Sequence, residues 1–85
     1  MLKLREIVSG YYKATNIVSN HEAFIDVDML GQFRGIVSTA LEDGSFEVVE
    51  RMGHHTIEDA ANWIECQGIT MTSNFDGSPM IEVSA

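Results

Sequence analysis

Residues 44–68, GSFEVVERMGHHTIEDAANWIECQG, decide the fold, because every local signal in them points the same way. Asp43-Gly44 opens a turn, and Phe46 to Met52 carries the β-branched and aromatic content of a strand. Thr56 stands at a helix N-cap, where its hydroxyl can accept from the backbone N–H of Asp59. Glu58 and Asp59 place carboxylates at the positive end of the helix dipole, with Asp59 as a shortened capping-box partner. Ile57, Ala60, Ala61 and Ile64 then recur at helical spacing and form one apolar stripe. Two alanines in that stripe let a helix lie close on a sheet, and Gly68 ends it. The stretch predicts a strand followed by an amphipathic helix over 56–67.

Outward from there, 85 residues are enough for one small domain with a modest core. A hydrophobic content of 45% with a single proline argues against disorder. No apolar run reaches membrane-spanning length, and Ser9, Gly10 and Lys13 interrupt any signal-peptide core. One cysteine cannot close an internal disulfide, so a reducing, cytoplasmic setting is expected.

Charge is unevenly spread. Residues 1–14 hold three cations and one acid, whereas residues 15–85 hold two cations and twelve acids, giving a net charge of −8. A negative field of that size repels nucleic acid and anionic lipid, so neither is expected as a direct partner. The same charge also serves to keep a small protein in solution.

Residues 2–13 read two ways. Leu4, Ile7, Val8 and Tyr11 fit a short N-terminal helix, which is the favoured reading, followed by an extended Ala14 to Val18. The rival is a hairpin turning at Ser9-Gly10, since Gly10 weakens a helix and Lys3 and Arg5 oppose its dipole. Ala23 to Leu30 alternates Ile25, Val27 and Met29 with Phe24, Asp26 and Asp28, which predicts a strand with one dry and one wet face. After Gly31-Gln32 a strand runs back with Phe33, Val37 and Leu41 on one parity. Ile69 to Ser73 and Met80 to Val83 are candidates to pair around the turn at 75–79. Short connections imply an antiparallel meander of three to five strands with the helix on one face, an α+β domain.

Chemistry-bearing residues are sparse. His54 and His55 precede the helix, with Glu58, Asp59 and His21 as conceivable co-ligands, but adjacent histidines in an extended segment point to opposite sides. Cys66 lies nearly opposite the Ile57/Ile64 stripe, and both histidines belong to the other end of the helix. No phosphate loop, HExxH, nucleophile elbow or paired-cysteine motif occurs. No cofactor or metal is expected, and the chain reads as a non-enzyme.

Two features point to binding. Glu22, Asp26 and Asp28 share a parity with Phe24, and Glu47 is assigned to the same acidic face. Carboxylates two residues apart in a strand stand roughly 7 Å from each other, close to the spacing of successive phosphates. Such a face suits the basic groove of a nucleic-acid-handling protein, with Phe24 as an apolar anchor. Trp63, on the flank of the helix stripe, is the second candidate, either as an interface anchor or as a cover for the core edge. The general profile is similar to that of small phage and mobile-element proteins that occlude a host protein, a likeness of profile that covers no motif and assigns no residue. The expected function is therefore stoichiometric association with a protein partner as an acidic inhibitor. The alternatives are a structural subunit or homodimer joined through Trp63 or a sheet edge, and a small metal- or thiol-dependent enzyme using His54, His55 and Cys66.

Overall fold

The computed structural model describes residues 1–18, 20–72 and 80–83. Strands β1 (Leu4–Val8), β2 (Tyr11–Ala14), β3 (His21–Val27), β4 (Phe33–Ala40) and β5 (Phe46–His54) follow one another, and each pairs antiparallel with the next. From β5 the chain crosses to the far edge of the sheet through helix α1 (Ile57–Glu65), and β6 (Ile81–Val83) lies parallel to β1. The sheet order is β5-β4-β3-β2-β1-β6, so the expected α+β meander is present with five antiparallel strands and a parallel sixth added.

The helix starts where its cap chemistry says. Thr56 is extended, and its hydroxyl accepts from the N–H of Asp59 at 3.1 Å. Ala60, Ala61 and Ile64 are buried, and they meet Ala23 and Ile25 of β3 and Val37 of β4 in one core. Leu2 and Leu4 extend that core across β1 and are fully buried.

The N-terminal segment corrects the helical reading. Residues 4–14 form a hairpin that turns at Ser9-Gly10, not a helix. Gly10 has φ 78°, and a Cβ there would lie 2.8 Å from Val27 Cγ1, so glycine answers both the turn and the close approach. A helix over these residues would bury one stripe with no partner. The strand form lets Leu4 pair with Ala14 while Tyr11 to Lys13 bond to β3. Tertiary pairing outweighs a helical pattern this short.

Asn16 fastens residues 1–3 and 72 to this hairpin. Its side chain is buried, its Oδ1 accepts from Lys3 N at 2.9 Å, and its Nδ2 donates to Met1 O at 2.8 Å. Its carbonyl accepts from Thr72 N at 2.8 Å. Residues 69–72 therefore lie beside 16–18, with Met71 bridged to Ile17 and Val18 N donating to Thr70 O at 3.0 Å. Thr70 to Thr72 and β6 thus find different partners and do not pair with each other; Ser73 and the turn at 75–79 lie outside the described residues.

Strand β3 also ends earlier than its alternation suggests. It stops at Val27, and Asp28 turns the chain by accepting from Leu30 N at 2.8 Å and Gln32 N at 3.0 Å. Met29 is fully exposed in that turn, outside the dry face. Leu41 likewise lies beyond β4 and is exposed.

Two measurements test this account. Asn16→Ala removes the acceptor of the Lys3 N–H and the donor to the Met1 carbonyl, and it should cost about 2 kcal/mol or more in urea unfolding. Tyr12, opposite Glu6 in the hairpin, has its phenol pushed above 10.0 by burial and by its hydrogen bond to the Glu6 carboxylate. A raised folded-state value favours the fold below the unfolded pKa, and that contribution is lost as pH climbs through the folded one. Wild type should therefore lose stability relative to Tyr12→Phe above about pH 10 and show no such relative loss at about pH 8.

Candidate functional site

The cross-strand registers sort every side chain to one of two faces. Ala23, Ile25, Gly35 and Val37 lie under α1, and their partners in β5 are Val49 opposite Val37 and Arg51 opposite Gly35. Glu22, Phe24 and Asp26 point the other way, opposite Ser38, Ile36 and Arg34. That second face is open, since α1 is the one element packed on the sheet among the described residues.

The open face has an apolar middle and a charged border. Phe24 stacks with Tyr11 at 5.8 Å between ring centroids, and Lys13 Nζ stands 5.9 Å over the Phe24 ring. Ile36 continues the band into β4, and Val48 and Phe46 carry it to β5, where they are 58% and 68% exposed. Exposure of that order on neighbouring apolar side chains marks a surface suited to a partner. At one end, Arg34 clamps Asp26 through one guanidinium edge, Nε to Oδ1 at 3.0 Å and Nη2 to Oδ2, while its Nη1 reaches Glu50 at 3.6 Å. The hydrogen bond to Asp26 is the main reason that the Arg34 pKa lies above its ordinary value.

This geometry rearranges the acidic row. Glu22, Phe24 and Asp26 do share a face, but Asp26 is engaged by Arg34 and is not a free carboxylate. Asp28 is a turn residue beyond the strand. Glu47 sits opposite Thr39, on the helix side of the sheet, so it cannot join Glu22. Glu50, opposite Ile36 and itself 3.6 Å from Arg34, joins Glu22 and Asp26 on the open face instead. The turn contained this information. Leu41 and Ser45 bracket a three-residue loop, and counting from that pair sets Glu47 on the parity of Val37. Arg34, Glu50, Ile36 and Val48 become visible only once this register is applied.

The helix side holds the other candidates. Trp63 lies on β4 so closely that a Cβ on Gly35 would stand 2.7 Å from its Cε3, and its ring is tilted against His54 at 6.0 Å. Trp63 thus covers the edge of the core. A groove of about 470 Å³ runs between the end of β5 and α1, lined among others by His54, His55, Asp59, Trp63 and Cys66. The two histidines and the cysteine therefore share a groove wall even though they belong to opposite ends of the helix. Among the described residues, no group of three or more His, Cys, Asp or Glu side chains stands where it could hold a metal ion. His54 Nε2 is buried without a hydrogen-bond partner among them. His21 is elsewhere, with Nδ1 2.9 Å from the Thr39 hydroxyl. No helix among the described residues is long and apolar enough to cross a membrane.

Comparison with family models, with curated proteins and with solved structures finds no match to this chain.

The contact between Trp63 and Gly35 has a direct test. Gly35→Ala should displace the indole and cost about 1–3 kcal/mol of stability through overpacking. Trp63 is the only tryptophan, so its emission should shift to longer wavelength in the same variant as the ring gains water. An unchanged spectrum and midpoint would contradict the packing described.

Proposed function

We propose that the protein acts without catalysis, by stoichiometric association with a protein partner seated on the open face of the sheet. The observation that supports this reading most is the apolar band of half-buried Phe24 and Ile36 and exposed Val48 and Phe46, bordered by the carboxylates of Glu22 and Glu50 and covered by no described element. An apolar centre with a charged border is the anatomy of a protein interface, and Phe24 supplies its anchor.

The net charge of −8 favours a basic partner surface and disfavours direct contact with nucleic acid or anionic lipid. In its specific form, the partner is a host protein that handles nucleic acid. The chain occludes its basic groove, as phage and mobile-element inhibitors do, in the cytoplasm. The carboxylates on this face are Glu22, Asp26 and Glu50, the last two each contributing through a pair with Arg34. Trp63, Glu47 and Asp28 lie off this face, and the binding reading does not need them.

The test compares two sets of variants for capture of the partner from the native host's lysate. Phe24→Ser and the pair Glu22→Lys with Glu50→Lys should each lower capture at least about tenfold with an unchanged circular dichroism spectrum. Asn62→Ala and Cys66→Ser, in the groove on the other side, should leave it intact. Added duplex DNA should release the bound partner. The reverse pattern, with groove variants losing capture and open-face variants keeping it, would move the site to the helix side.

A further inference from the structure

Strand β5 is an edge. It runs from Phe46 to His54, bonds to β4 on one side, and has no strand on its other side among the described residues. Unpaired edges of this length attract another strand unless something blocks them. Phe46, Val48, Val49 and Met52 are all exposed on it, at 68%, 58%, 41% and 62%.

Which backbone groups point outward follows from the ladder. Leu41 N donates to Ser45 O at 2.8 Å, so the bonded pairs between β4 and β5 continue at Thr39 with Glu47, Val37 with Val49 and Gly35 with Arg51. Ala40 agrees, since its N–H turns to the opposite side and donates to Asn20 O at 2.8 Å. The N–H and C=O groups of Phe46, Val48 and Glu50 are therefore the ones presented at the free edge, with Met52 next in the alternation where the register to β4 shifts between Gly35 and Phe33.

We infer that this edge binds a second copy of the same chain, antiparallel about a two-fold axis at Val49. Outward groups can face each other only when the axis passes through a residue, and side chains choose which residue. An axis at Glu50 sets that carboxylate against itself, and an axis at Arg51 or Glu47 opposes like charges in the same way. An axis at Val48 puts Phe46 opposite Glu50 and leaves Glu47 opposite Val49. The axis at Val49 alone puts Glu47 opposite Arg51 of the second copy, twice over. It also pairs Phe46 with Met52 and sets Val49 against its own copy. Neither Glu47 nor Arg51 has an ion pair among the described residues of its own chain, so both remain available. Opposite charges and apolar side chains directly across an antiparallel pair are both favourable.

In this arrangement Phe46 pairs with Met52, and Val48 with Glu50, as the hydrogen-bonded pairs. Val49 and the Glu47–Arg51 pairs fall at the closer, non-bonded positions. The two sheets become one, and the open faces of both copies join into a single surface. The inference concerns the backbone edge and the helix-side charges, and it does not rest on the partner reading of the open face.

Sedimentation velocity across a concentration series of the full chain should show a monomer–dimer equilibrium. Glu50→Pro removes an outward N–H that β4 does not use, and it should abolish the dimer with the circular dichroism spectrum retained. Glu47→Arg and Arg51→Glu should each weaken association by about tenfold or more, and the double exchange should restore it to within about threefold of wild type. Val49→Cys in a Cys66→Ser background should form a disulfide-linked dimer under mild oxidation, because the symmetric pair at the axis brings the two Cβ atoms about 4.5–5.5 Å apart. Val48→Cys in that background should not. A chain that stays monomeric at every concentration overturns the inference. So does a dimer that survives Glu50→Pro, or one whose charge exchange fails to restore binding.

Discussion

The close approach of α1 to strands β3 and β4 is the constraint on which the rest depends. Ala60 and Ala61 carry little side chain toward the sheet, and Gly35 carries none beneath Trp63, where a Cβ would be only 2.7 Å from the ring. A nine-residue helix can hold a six-stranded sheet only if its few contacts are dense. Because that one helix supplies the cover, all of the fully buried side chains gather on its side. The opposite face is left with half-buried Phe24 and Ile36 and a charged rim.

Two devices carry this small core outward. Asn16 replaces packing with hydrogen bonds where the sheet runs past the helix, tying residues 1–3 and 72 to the end of the first hairpin. Arg34 does the equivalent on the open face, spanning β3, β4 and β5 between Asp26 and Glu50. A polar side chain at such a position both satisfies its neighbours and fixes the register, since a one-residue slip would separate the pair. At β5 that reinforcement is thin, and its outer backbone groups meet no described partner. The same economy that leaves one face open leaves one edge open.

Sequence reading recovered what depends on neighbours in the chain. Thr56, Glu58 and Asp59 mark the helix start, the Ile57–Ile64 stripe marks its buried side, and alternation in β3 separates Phe24 and Asp26 from Ile25. These features were legible because capping and amphipathic patterning act over a few residues. Helical spacing at Leu4, Ile7, Val8 and Tyr11 was equally legible and misleading. Those residues form a hairpin because β3 offers hydrogen bonds and Leu4 finds Ala14, neither of which a local pattern contains.

By itself, the sequence determined the fold class, the start and buried side of the helix and an acidic chain without a catalytic motif, while the helix ends at Glu65, two residues short of the expected 67. Tertiary structure alone decided which carboxylates stand together. Glu47 and Glu22 have similar surroundings in the sequence, yet the register of β4 with its two neighbours sends them to opposite faces. Asp26 reads as a free acid until Arg34, eight residues away, is brought across from it. A strand's side chains alternate by a period that the sequence displays. Which of the two faces each set occupies is set by pairing with distant strands, and that is a property of the folded chain.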